Sequence, residues 1–271
     1  RHRPNLEVLG GRLVDRVLLN GRRAVGVRLA GGEEIEAGTV LVSAGAVHSP
    51  AILLRSGLDV DGIGAGLQDH PSFPVALALA EPADLDGLPI ATVWRGSSGT
   101  DPEARHDLQV LPMDHVDVSM PGLGMLMAAA MRVRSRGSVT LAPGTGQADP
   151  HVDPVLDFDM LSDDRDTAVL DAAIDALERS LDHPAVRAVG EPVPYDRSAA
   201  GVRAAIGDYV HATSTCAMGT VVDGWCRVRG YDGLVVCDAS VMPTVPRANT
   251  HLPTVMIAER VADYLRGTLR P

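Results

Sequence analysis

The order of apolar patterns predicts a mixed fold, α/β plus α+β, in which both chain ends build one nucleotide-domain-like unit around an inserted antiparallel sheet. Three observations predict it. Short apolar strands that run through small residues into a helix occur near both ends, at residues 40–54 and 234–266. Between them, residues 73–154 switch to short alternating segments broken by Gly and Pro. Helical periodicity then appears at 163–181, where Ala168, Leu170, Ala173, Ile174 and Leu177 recur at the spacing of one buried face.

The elements follow in order. Residues 12–19 alternate as a strand, Asn20-Gly21 is a two-residue hairpin turn, and a second strand runs over 24–29. Gly31-Gly32 turns the chain again before the short buried strand Val40-Leu41-Val42. That strand ends in Ser43-Ala44-Gly45-Ala46, small enough for the backbone to approach something bulky. Ser49 and Pro50 read as the N-cap and first residue of a helix burying Ile52, Leu53 and Leu54. Residues 57–71 form a Gly-rich loop. Beyond the central sheet and its helix, a second helix is predicted over 198–209, strands at 221–222 and 234–237, and a final helix over 253–266 closed by Gly267.

Composition narrows the function. The net charge is −11 without any basic block, so nucleic acid and anionic membrane surfaces are excluded as partners. No apolar run approaches the ~20 residues of a membrane span. All 24 cationic side chains are arginines, which removes P-loop, Schiff-base and Tyr–Lys chemistry. Cys216, Cys226 and Cys237 have neither disulfide-framework nor zinc spacing, which places the chain in the cytoplasm. Asp114-His115 and the His151/Asp153 pair lack the further ligands a metal needs, so no metal is expected. The Met-rich stretch 120–131 reads as core filler in preference to a cavity wall. The opening residues, starting at Arg1, read as the approach to a strand in a piece of something longer.

Two places could carry chemistry. Asp238-Ala239-Ser240 follows a strand and leads through a loop to a helix start marked by Asn249, Thr250, His251 and Pro253; free N–H groups there suit an anion or cofactor. His211 lies among small hydroxyl residues, where an imidazole suits a general base. The pattern alone also accommodates a satisfied structural histidine.

Four separated segments resemble the glucose–methanol–choline (GMC) oxidoreductases, in that family's order. RPNLEVL at 3–9 with AVGV at 24–27 resembles its opening hairpin; SAGAVHSPAILLRSG at 43–57 resembles its S-A-G-A-x-x-S-P-x-L-L-x-x-S-G signature, followed by LQDHP at 67–71. HATSTCAMG at 211–219 with VVD at 221–223, and the tail 238–259, resemble its carboxyl-terminal motifs. The middle is matched only weakly, at 135–141.

The resemblance implies a choline dehydrogenase-like FAD enzyme that oxidises a small-molecule alcohol by hydride transfer to flavin N5. It implies that His211 is the base and His251 the partner that hydrogen-bonds the substrate oxygen. It places Leu252 and Thr254 at the flavin pyrimidine edge, Asp238 and Ala239 near the ribityl–pyrophosphate portion, and the Val14 backbone at the adenine end. Residues 1–71 and 198–271 would form a partial FAD-binding Rossmann-like domain, and 72–197 the substrate-binding domain. The electron acceptor and the alcohol stay open.

Two departures stand out. Ser214 replaces a family Gly. The strand–G-x-G-x-x-G–helix unit that should hold the FAD pyrophosphate is missing, since Gly62, Gly64 and Gly66 are followed by Leu67 and no helix opening. The expectation is therefore a carboxyl-terminal portion, whose flavin-binding half lies elsewhere in the same protein or in a partner chain. The rival reading is a non-catalytic fragment or a subunit that completes such a partner. His70 in the matched loop is expected to be a surface or hinge residue.

Overall fold

The computed structural model describes residues 3–144 and 149–268. Strands β1 (Val14–Asn20) and β2 (Arg23–Leu29) form the first hairpin, extended by β3 (Glu34–Glu36). Asn20 pairs with Arg23, so the two-residue turn is Gly21-Arg22 and not Asn20-Gly21. The left-handed position falls on Gly21, at φ 58°, where the missing Cβ makes it inexpensive.

The two ends of the chain meet in a parallel pair. Strand β4 (Val40–Val42) lies beside β13 (Leu234–Val236) with Leu41 opposite Val235. Around this pair, Val17, Ala24, Leu53, Val222, Leu234, Val236 and Val261 share one core. This reunion of distant strands matches the expected nucleotide-domain-like unit.

Helix α1 (Gly45–Arg55) begins five residues before the expected start and carries Pro50 inside it. Proline cannot donate to the carbonyl one turn back, that of Ala46. The Thr215 hydroxyl donates to that oxygen instead, at 2.6 Å. Ser49 is therefore no cap: its hydroxyl donates to Asp238 Oδ2 at 2.5 Å and accepts the Ala44 N–H.

The central region holds a five-stranded antiparallel sheet ordered β12-β6-β9-β8-β7, where β6 is Ser72–Leu79, β7 Trp94–Gly96, β8 Leu108–Met113, β9 Leu123–Ala130 and β12 Gly190–Pro192. Period-two alternation sends Phe73, Val75, Leu77, Val110, Leu126 and Ala128 to one face. Helix α2 (Asp164–Leu181) covers that face with Val169, Leu170, Ala173, Ile174 and Leu177. The expected Ala168 is exposed; Val169 and Asp166 occupy the inner stripe in its place. Asp163 caps α2 by accepting the Arg165 N–H. A smaller sheet joins β5 (Ala65–Leu67), β10 (Gly137–Thr140) and β11 (Val155–Asp157). Strand β5 interrupts what the sequence presents as an uninterrupted loop.

The remaining helices are α3 (Pro184–Arg187), α4 (Ala199–Ala205, capped by Ser198) and α5 (His251–Thr268). Helix α4 is shorter than expected because its chain turns extended at Ile206. In place of the strand expected at 221–222, Val221 lies in a turn and Val222 forms only isolated bridges. Among the described residues no helix is long and apolar enough to cross a membrane.

Asp166, fully buried, accepts the Arg134 and Ser135 backbone N–H groups and the Ser135 hydroxyl, fastening α2 to the approach to β10. Asp166→Ala would strand these donors, each costing about 1–3 kcal/mol when left unsatisfied. Chemical denaturation should show a loss of at least ~2 kcal/mol; a midpoint equal to that of the parent would show the donors find other partners.

Candidate active site

The segment that carries His211 is held by one carboxylate. Asp69 Oδ1 accepts the backbone N–H of His70 at 2.6 Å and of Tyr209 at 3.1 Å, while Oδ2 accepts that of His211 at 2.8 Å. The residue between the last two donors, Val210, is thereby held at φ 58° with its side chain 87% exposed. A β-branched residue in the left-handed region is a true outlier, and it sits beside the candidate base. Burial pushes the Asp69 carboxyl up to about 6, opposed by its backbone donors.

Neighbouring Gln68 and His70 fix two further strips of chain. The Gln68 amide donates to the carbonyls of Val133 and Ser135 and accepts the Val245 N–H. His70 places Nε2 3.0 Å from the Pro246 carbonyl and Nδ1 3.0 Å from Nδ1 of His211, the two rings standing edge to face with centroids 5.2 Å apart. His70 is fully buried, which overturns its expected surface or hinge role. It has no exposed position to take, since Pro71 enters β6 while Asp69 and Gln68 bind inward. Burial, then the nearby His211, bring its imidazole down to about 3. Burial also lowers His211, which is 9% exposed. Tyr209 completes the cluster, its ring centroid 5.1 Å from that of His211 and its hydroxyl accepting from Gln109.

Ligand atoms of Asp69, His70 and His211 lie within 4.8 Å of one another. Asp69 is already engaged by three backbone N–H groups and both nitrogens of His70 have partners, so the cluster is built as a hydrogen-bond network.

The other expected site residues fall into three places. Residues 214, 216 and 218 donate through their backbone to the carbonyls of Ala239, Ser240 and Val241, which ties the His211 segment to the Asp238 turn. Ser214, where the family pattern has Gly, lies in the left-handed region at φ 75°. Asp238 is buried, and its carboxylate accepts from Gly45 N–H, the Ser49 hydroxyl and Ser240 N–H. His251 and Leu252 open α5 in exposed positions, with Thr254 half-buried and its hydroxyl donated to the Thr250 carbonyl. Among the described residues no hydrogen bond links His251 to the His70–His211 pair. Val14 begins β1, half-buried opposite Leu29.

Sequence reasoning missed Asp69, His70, Gln68 and Tyr209 as partners of His211. The signal was present in LQDHP at 67–71, an acid, an amide and an imidazole together in one loop.

Two family models match the chain, both described as GMC oxidoreductase, over residues 1–72 and 133–258. Among curated relatives, a 5-(hydroxymethyl)furfural oxidase from Methylovorus sp. (strain MP688) is 33% identical over 98% of this chain and 58% of its own length. An oxygen-dependent choline dehydrogenase from Burkholderia pseudomallei is 31% identical over 98% of this chain and 57% of its own length. The chain thus spans under two thirds of these relatives. Among solved structures, pyridoxine 4-oxidase from Mesorbium loti superposes with a TM-score of 0.84 at 24% identity, covering 98% of this chain and 59% of that one. A formate oxidase gives a TM-score of 0.84 at 19% identity over 99% and 62%. These likenesses show the fold.

Two measurements follow. Val210→Gly removes an exposed side chain from a strained backbone and should raise stability by about 1 kcal/mol; a lower melting temperature would place the strain elsewhere. The His70 imidazole is depressed from 6.5 to about 3, so the unfolded chain binds more protons across that window, and stability falls as pH drops through it. Asp69, raised from 3.8 to about 6, acts oppositely, contributing below 3.8 and losing its contribution as pH rises to about 6. Melting followed from pH 7 to 3 should therefore show less acid destabilisation in His70→Leu than in the parent. An equal slope in both proteins would refute the assignment.

Proposed function

The chain belongs to the GMC oxidoreductase family, and from that premise we propose that it supplies the base side of an FAD-dependent active site oxidising an alcohol to an aldehyde or ketone. The observation that carries this reading is the buried His211, lowered by desolvation and fixed through its backbone by Asp69. A neutral imidazole in such a setting is ready to take a hydroxyl proton near neutral pH.

The described residues suit one side of a flavin. The start of α5 offers the positive end of a helix and an exposed Leu252 at 75%, while no glycine-rich phosphate cradle accompanies them among the described residues. FAD, when bound, supplies the hydride acceptor. The chain's own residues do the rest: His211 receives the hydroxyl proton, His251 hydrogen-bonds the substrate oxygen, and Leu252, Thr254, Asp238, Ala239 and Val14 face the cofactor. Asp238 acts chiefly by holding the turn, since its oxygens already bind Gly45, Ser49 and Ser240. Residues 1–71 and 198–271 form the cofactor side and 72–197 the substrate side, a division supported by separate apolar cores. Three unpaired, buried cysteines support a cytoplasmic setting.

A second reading has its own support. Leu252, Val255 and Met256 form an exposed apolar stripe on α5, opposite Ile257, Val261 and Leu265, which face the core. Leu41 on β4 is exposed as well. Such surfaces suit a partner, either the flavin-binding half of the same protein or a separate chain that this one completes.

The test is anaerobic reduction of the flavin-loaded protein by alcohols, followed by bleaching of its spectrum. His211→Ala should slow reduction by about 10²–10⁴-fold. An unchanged rate would remove His211 as base. Tight, stoichiometric FAD binding by this chain alone would remove the need for a completing half.

A further inference from the structure

The contacts of His70 determine where His211 keeps its proton. The Pro246 carbonyl can only accept, so His70 Nε2, 3.0 Å away, must carry hydrogen. His70 is neutral across the working pH range: it is fully buried, and both His211 and the Arg95 charge oppose a second proton. Its Nδ1 is therefore bare and can only accept. The atom it meets at 3.0 Å is Nδ1 of His211, which must be the donor.

Resting on the reading of His211 as base, we infer that His70 is a positioning residue that locks His211 in the Nδ1–H tautomer and so presents Nε2 as the atom that takes the alcohol proton. A free imidazole distributes its proton between both nitrogens, and only one arrangement leaves a lone pair at the outer atom. Once His211 gains a proton at Nε2, its Nδ1–H becomes a charge-assisted donor to neutral His70, and the bond shortens in favour of the product state. The path goes no further, because His70 Nε2–H ends on a carbonyl that cannot be protonated. His70 orients and stabilises; it does not conduct protons.

The surroundings hold this arrangement from every side. Asp69 is consumed by backbone N–H groups, including that of His70 itself, and so leaves the ring nitrogens alone. Tyr209 stands T-shaped to His70 at 6.1 Å between centroids, and its hydroxyl accepts from the Gln109 amide. Arg95 pairs with Gln109 across β7 and β8, which sets it on the same face of the sheet. The loop that bears Pro246 is anchored one residue earlier, where Val245 N–H meets Gln68. Second partners of this kind commonly fix the tautomer of a working histidine.

The decisive measurement is the nitrogen NMR spectrum of the flavin-loaded protein labelled with 15N-histidine, with His211 assigned by its loss in His211→Ala. Protonated-type nitrogen at Nδ1 and bare-type nitrogen at Nε2 are expected; the reverse pattern overturns the inference, whatever the folding of any variant. In kinetics, His70→Leu should lower kcat by about 10²-fold or more with KM changed only a few-fold. His70→Asn, whose Oδ1 can stand in for the accepting nitrogen, should recover at least about tenfold of that loss. Leucine and asparagine variants with equal kcat would refute the role of the acceptor. Should the base assignment itself be wrong, His211→Ala would turn over normally while the tautomer pattern persisted, which separates the two failures.

Discussion

The candidate site depends on a carboxylate accepting three backbone N–H groups. Asp69 joins two loops, one entering β6 and one leaving α4, and it sets the backbone of His70, Tyr209 and His211. Through it the backbone of His211 is set, Val210 is forced into a left-handed conformation, and His70 is turned inward. Burial works against the charge, raising the carboxyl, while the donors work for it. The left-handed valine is the local strain that this bracket sustains, next to the candidate base.

A second constraint fastens the first and last signature segments together. Asp238 accepts from Gly45 and Ser49, Thr215 fills the carbonyl that Pro50 leaves open, and the backbone of residues 214–218 runs along that of residues 239–241. Three motifs that are far apart in sequence are thus one hydrogen-bonded assembly. The proline inside α1 shows the logic: a defect in one element is the recognition point for another.

Much of the fold was legible because local rules agreed with it. Helix α2 has a clean cap at Asp163 and a strong periodicity, and its boundary differs from expectation by only one residue. That both chain ends build one unit was expected from two strand–helix junctions; that β4 and β13 pair in parallel within it is seen only in the structure. Helix α1 was misplaced because Ser49-Pro50 is a good helix opening in isolation, whereas the real start uses Gly45 at φ 82° and the distant Asp238. At the site, His211 was legible through its motif and His70 was not. A histidine beside proline in a glycine-rich stretch resembles a turn, and only the fold reveals that a ring from 141 residues away meets it. His251 was found by motif alone; it is exposed at the head of α5, and among the described residues no hydrogen bond ties it to the His70–His211 pair.

The parallel pair has a kinetic corollary. Ser43 and Cys237, 194 positions apart in sequence, are joined by a hydrogen bond, and β4 cannot meet β13 until the chain between them has been drawn together. The meander of β8 and β9 and the hairpin of β1 and β2 close over short spans and can form early. The parallel pair waits for a far longer closure, whose entropic cost falls once the compact central sheet has collapsed. The inserted region thus does more than separate the two ends of the chain: by drawing its own termini together, it acts as the clasp that lets the outer segments find each other.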